Sequence, residues 1–208
     1  MKKKHIVLFI VLLLVIDQVV KIVVKTHMTL DQHIAVFGHW FYIRFIENPG
    51  AAYGFEFGGS YGKLFLSLFR IVAVGFLVWF MGKLMKRGAP KGVLFGFAML
   101  IAGAIGNILD SAFYGMIFSE SGFSTVATMF PEGGGYAPFL HGKVVDMLYF
   151  PIIRSTYPAW FPWVGGESFE FFSPVFNFAD AYISVGVIYL LIFQHKYFLG
   201  KNTEEADK

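Results

Sequence analysis

The sequence holds no cysteine among its 208 residues, and only 15% of them are charged. The first absence excludes disulfides, thiolate nucleophiles and cysteine-ligated metal centres, and carries no message about redox compartment. The second excludes an ordinary water-soluble globule, in which about a quarter of residues are Asp, Glu, Lys or Arg. Acid and base nearly balance, with 17 Lys+Arg against 14 Asp+Glu and a net charge of +3. The basic residues sit beside long apolar runs rather than in a patch, which argues against a nucleic-acid partner. What is abundant is apolar: 56% of residues are hydrophobic and 19% aromatic, with a mean hydropathy of +0.61. These figures describe a single integral membrane domain over residues 1–208.

Four stretches have the roughly 20 mostly apolar residues that one bilayer crossing requires: about 5–25, 63–85, 92–112 and 178–198. Lys2, Lys3 and Lys4 have the look of a signal-peptide n-region. No small-x-small cleavage site follows Leu14, however, and the helical pattern runs on through Asp17 and Lys21, so the first span is expected to be retained. Basic residues collect before the first span, between the second and third (Lys83, Lys86, Arg87, Lys91), and after the fourth (Lys196, Lys201, Lys208). The positive-inside rule therefore predicts cytoplasmic termini and two long outer loops, about 26–62 and 113–177.

The first outer loop carries an aromatic, β-branched, partly alternating run from His33 to Glu47 that reads as β-structure. Asn48 to Gly54 (NPGAAYG) reads as a tight turn. The second outer loop is aromatic, with Tyr157, Trp160, Phe161, Trp163 and Phe169 suited to a membrane–water interface.

Charges inside a span are expensive and mark function. With the predicted topology, Asp17 lies about 18 Å along the first span at 1.5 Å per residue, and Lys21 lies one turn further out. The third span ends in Asn107 and Asp110, and the fourth opens with Asn177 and Asp180; each pair is three apart, on one helical face. Asp146 falls in the loop between them. The intramembrane acids thus converge on the outer leaflet. Each has a plainer explanation as well: Asp17 and Lys21 neutralise one another at i and i+4, Asn177 caps a helix, and Asp146 is a loop carboxylate. Two other patterns are poorer. Gly58-Gly59-Ser60-Tyr61-Gly62 spells a serine-hydrolase elbow without its strand-turn-helix context. His27, His33 and His39 recur every six residues with no further ligand beside them. Arg70 is the one charge that the body of the second span adds.

Five blocks then stand in order: Asp17-Gln18-x-x-Lys21, Asn48-Pro49-Gly50-Ala51-Ala52, Gly106-Asn107-x-x-Asp110, Val144-Val145-Asp146, and Phe176-Asn177-x-Ala179-Asp180. Together they resemble lipoprotein signal peptidase (signal peptidase II), and they extend from the first span to the last. The resemblance implies a bacterial inner-membrane aspartic peptidase with four transmembrane helices and a small extracytoplasmic β-cradle. Its substrates would be diacylglyceryl-modified prolipoproteins, cut just before the lipidated cysteine, and membrane lipid would be its surroundings. It implies a monomer without cofactor or metal. Asp146 and Asp180 would be catalytic; Asp17, Lys21, Asn48, Gly50, Ala52, Gly106, Asn107, Asp110, Asn177 and Ala179 would line or brace the site. The chain departs from that family in having Ser111 where Arg usually follows the third-block Asp, and in longer stretches on either side of Asp146.

Two close carboxylates that share a proton can activate water and protonate a carbonyl. Asp180, at a helix N-terminus, is the expected base and Asp146 the expected acid. A proton- or ion-coupled transporter and a non-enzymatic assembly subunit are the other classes the composition allows. The first would need polar residues reaching the cytoplasmic side, and the inner halves of the spans are nearly all apolar.

Overall fold

A computed structural model describes residues 2–49, 59–171 and 174–200. The turn expected from Asn48 to Gly54 lies outside the described residues from position 50 onward, and so do Gly50 and Ala52.

The chain opens with α1, Lys3–His27, whose apolar run continues to Ile16 before its first acid. Lys25 and His27 in the last turn suit the negative end of the helix dipole. A hairpin follows, β1 (His33–Phe37) and β2 (Phe41–Asn48), where the alternating aromatic run predicts strands. The helix α2 covers Gly59–Lys86, and α3 covers Lys91–Leu109. The latter passes into a π-helical turn, Asp110–Tyr114, and a last short turn, α4 (Gly115–Ile117).

In the second loop the structure differs from a plain loop reading. Val144–Tyr149 forms β3, buried at every position, and it pairs antiparallel with β2. A side hairpin of β4 (Ile153–Thr156) and β5 (Ser168–Phe171) stands as a separate two-stranded sheet. Then β6 (Val175–Phe176) closes a four-stranded sheet in the order β1-β2-β3-β6.

The last long helix, α5, runs Phe178–Phe193. It stops short of the predicted Phe198 because Gln194 leaves helical geometry, and α6 (His195–Phe198) is a separate turn. Among the described residues, α1, α2 and the α3–α4 run are long and apolar enough to cross a membrane; α5 is a shorter apolar helix.

Two apolar clusters hold the elements together. One joins the helices through Ile6, Leu84, Val93, Phe97, Ile101 and Leu190. The other lies against the sheet, with Val24, Phe45, Phe118, Val145 and Met147. Leu8, Phe65 and Val72 are exposed on the helices, as lipid-facing side chains should be.

Closeness of α3 to α5 depends on glycine. A Cβ at Gly103 would lie 2.2 Å from the carbonyl oxygen of Ala179, and one at Gly106 would lie 2.7 Å from Asp17 Oδ2. Small residues let helix backbones approach where no hydrophobic force drives them together in lipid. The Gly103→Leu variant is therefore expected to separate α3 from α5, at a cost of about 1–3 kcal/mol or more for overpacking. Thermal unfolding in detergent micelles checks this; a melting temperature equal to wild type would contradict it.

Candidate active site

Between the two apolar clusters lies a layer of buried polar side chains: Asp17, Lys21, Asn107, Asp110, Asp146 and Asn177, each no more than 7% exposed. It starts from Lys21, whose ammonium has 0% exposure. Lys21 Nζ meets Asp110 Oδ2 at 2.8 Å and Asp17 Oδ2 at 3.0 Å, and donates to Asn107 Oδ1 at 3.0 Å. Three acceptors match the three protons of an ammonium. The carboxylates are satisfied in turn. Asp17 Oδ1 accepts the backbone N–H of Ala179 at 3.0 Å, and Asp110 Oδ2 accepts that of Val145 at 3.2 Å. One lysine thereby ties α1 and α3 to the start of α5 and to strand β3.

This ion group orients the next shell. An ammonium can only donate, so Asn107 must turn its oxygen toward Lys21 and its amide NH2 outward. That NH2 donates to Asp180 Oδ1 at 2.7 Å. Asn177 is fixed by a different donor. It is the N-cap of α5, and its Oδ1 accepts the backbone N–H of Asp180 at 2.9 Å. Its NH2 therefore points the other way, donating to Asp146 Oδ1 at 2.7 Å and to Asn107 Oδ1 at 3.1 Å. Asp146 and Asp180 are thus linked through two asparagines whose polarity is imposed from outside.

Each of the two aspartates has its own environment. Asp146 is 4% exposed on β3, and Asn48 at the end of β2 also hydrogen-bonds it. Burial, and then the charge of Asp180, push its carboxyl up to about 7, against the opposing pull of Asn177, Lys21 and Asn48. Asp180 is half-buried in the first turn of α5, where the helix dipole favours a carboxylate. The arrangement pairs a buried carboxyl raised to about 7 with a second, half-buried one in the first turn of a helix. That is what water activation against a peptide carbonyl requires.

Asp17, Lys21, Asn107, Asp110, Asp146 and Asn177 lie in this layer, with Asp180, Asn48, Gly106 and Ala179 against it. The surroundings also include Gln18, which stood in the first block without a role, and Tyr114, Lys25, Glu47 and Ser121, which the sequence did not single out. Gln18 Nε2 donates to Asp110 Oδ1 at 2.9 Å and to Asp17 Oδ2 at 3.1 Å, and Tyr114 OH donates to Gln18 Oε1 at 3.2 Å. One turn beyond Lys21, the fully buried Lys25 pairs with Glu47 and donates to Ser121 Oγ at 2.9 Å. The spacing of Asp17, Lys21 and Lys25, each four apart, was the available signal for that second pair. Ser111, in place of the usual Arg, is buried in the π turn and donates to the Asn107 carbonyl at 3.0 Å. Among the described residues no three His, Asp or Glu side chains are grouped to hold a metal ion, and His27 instead contacts the Val23 carbonyl at 3.0 Å.

A carboxylate pair set in a helical membrane scaffold defines a class, the membrane aspartic peptidases. The comparisons with known proteins give the family. The family described as Signal peptidase (SPase) II matches residues 9–196. A lipoprotein signal peptidase of Porphyromonas gingivalis is 55% identical over 190 residues, covering 91% of this chain and 82% of that protein. One of Amoebophilus asiaticus is 35% identical over 185 residues, covering 87% and 73%. A bacterial membrane enzyme solved by the in meso method at 1.9 Å resolution shares the fold, with a TM-score of 0.60 at 24% identity over 91% of this chain and 92% of that one. The chain belongs to the signal peptidase II family and is a multi-pass membrane enzyme.

Lys21→Met tests the base of the site. It would leave Asp17 and Asp110 buried without a counter-charge, an expected loss of about 3–5 kcal/mol. Unfolding in micelles should show that loss, and an unchanged melting temperature would contradict the account.

Proposed function

We propose that this enzyme removes the signal peptide from diacylglyceryl-modified prolipoproteins, cutting before the lipidated cysteine with water held between Asp146 and Asp180. The observation that carries the reading is the relay Asp146–Asn177–Asn107–Asp180, anchored on Lys21. Family membership supports the substrate class.

Asp180 takes a proton from water as the water attacks the scissile carbonyl. Asp146, protonated, donates a hydrogen bond to the oxygen on which negative charge grows. Collapse of the tetrahedral intermediate passes a proton to the leaving amine, and the pair returns to one shared proton. Asn177 and Asn107 are positioning residues: each holds one oxygen of one carboxylate, and Asn48 adds a further hydrogen bond to Asp146. Asp17, Asp110, Gly106 and Ala179 hold α1, α3 and α5 together around them. Gly50 and Ala52 are assigned to lining or bracing the site on the resemblance alone.

Topology completes the reading. The chain is a single domain of four spans, α5 being the fourth, with both termini cytoplasmic and the sheet on the extracytoplasmic side of the bacterial inner membrane. The basic residues flanking α1, α2 and α3 support this orientation. A diacylglyceryl anchor in the outer leaflet then delivers the cleavage site at the depth of the polar layer. The enzyme acts as a monomer.

Asp146→Asn and Asp180→Asn are each expected to abolish cleavage of a purified lipidated precursor, a loss of at least about a thousandfold, while both variants still insert. Near-wild-type processing by either rejects the pair. Because the acid must carry its proton, kcat/KM should fall as pH rises through about 7, close to tenfold per unit above it. A rate still climbing at pH 9 would contradict the need for a protonated carboxyl in the pair.

A further inference from the structure

Arg70 is the only charged residue in α2 between Lys63 and Lys83, and neither the fold nor the carboxylate relay uses it. Its direction follows from the helix. Along α2, Ser67, Met81 and Leu84 are buried and Arg70, Val74 and Leu77 are half-buried, whereas Phe69, Val72 and Phe76 are exposed. Arg70 therefore stands in the middle of the stripe that faces the protein rather than lipid.

Its depth follows from a second contact. Ser67 Oγ, one turn earlier, donates to the Leu140 carbonyl at 3.1 Å. Leu140 and Gly142 in turn donate their backbone N–H groups to the carbonyls of Ala112 and Ser111, at 3.3 and 2.8 Å. The Ser67 level of α2 is thus keyed to the chain just past Asp110. One turn further along α2, about 5 Å, brings Arg70 to the level of the polar layer, and the charges of Asp180, Asp110 and Asp146 all act on it. Yet Arg70 has no ion pair and no hydrogen bond among the described residues.

A guanidinium with no partner among the described residues, inside a lipid-embedded bundle, is costly, and such a residue marks a binding or catalytic role. The five donors of its planar fork are left for a ligand. Three nearby carboxylates disfavour an anion there. The complementary ligand is neutral and rich in acceptor oxygens. A peptide being cut must leave helical form at the scissile bond, and its freed carbonyls then need donors, because lipid offers none.

We propose that Arg70 is a substrate-binding residue whose guanidinium receives carbonyl oxygens of the substrate beside Asp146 and Asp180. This rests on the peptidase reading above. The carbonyls come either from the peptide backbone next to the cleavage site or from the ester groups of the diacylglyceryl anchor, and the two sources are separable.

The test is cleavage kinetics of a purified diacylglyceryl-modified precursor in micelles by wild type, Arg70→Lys and Arg70→Met, with the melting temperature of each measured in parallel. Loss of ground-state contacts appears in KM. KM is expected to rise about tenfold or more for Arg70→Met and a few-fold for Arg70→Lys, which keeps the charge and loses the fork. The expected kcat stays within about threefold, with melting temperatures unchanged. If Arg70→Met does not accumulate, Arg70→Lys decides. A KM equal to wild type in the folded variants overturns the proposal, and so does a loss confined to kcat. A precursor with ether-linked chains then separates the sources. With peptide carbonyls as acceptors, the Arg70 penalty persists on it; with ester carbonyls, wild type itself shows the raised KM and the variants add nothing. Failure of the wild-type enzyme to cut any lipidated precursor would instead remove the peptidase reading.

Discussion

A lysine ammonium placed where water does not reach must find three acceptors or lose its charge, and the rest of the site grows from how Lys21 meets that demand. Its three partners come from two helices, and two of them carry full negative charge. Because Lys21 cannot accept, it fixes which way Asn107 faces. Because the backbone N–H of Asp180 cannot accept either, it fixes which way Asn177 faces. The two amides then present their NH2 groups to the two carboxylates. A cation that touches neither Asp146 nor Asp180 through a direct bond thus sets what Asp180 receives, and the start of α5 sets what Asp146 receives.

Ion groups of this kind are poor stabilisers on balance, since removing charge from water costs about as much as the pairing returns. Their value lies in geometry. A second group one turn away does for the sheet what Lys21 does for the helices. Lys25 holds Glu47 on β2 and Ser121 in the loop after α4. Glu47 precedes Asn48, which reaches Asp146, and the register Glu47↔Val145 and Asn48↔Val144 fixes that strand against β3. The same face of α1 therefore positions the helical half of the site with one lysine and the strand half with the next. The apolar clusters above and below keep water from competing for either.

Much of this was legible in the sequence, for reasons that can be named. Length and hydropathy revealed α1, α2 and α3, because the need to satisfy backbone groups in lipid leaves few other structures. The charges inside those runs stood out for the same reason. The end of α5 was less legible, since the polar run Gln194-His195-Lys196 that ends it is followed at once by Tyr197, Phe198 and Leu199. Asp146 read as a loop carboxylate, although Val144-Val145 before it and Met147-Leu148-Tyr149 after it have the short apolar character of a buried strand. Partners in Lys25–Glu47–Ser121 lie far apart in the chain, so the four-residue spacing on α1 could suggest a third polar position and not its occupants. Amide orientation was beyond reach, because it depends on which neighbour is a pure donor.

The bond from the backbone of Ala179 to Asp17 spans 162 residues of sequence, so the first helix carries its acid long before the last helix exists. Asp17 and Lys21 lie one turn apart on that same helix and meet at 3.0 Å. That segment therefore carries its own counter-ion, and Asp110, Asn107 and the Ala179 backbone add to the local pair without displacing it.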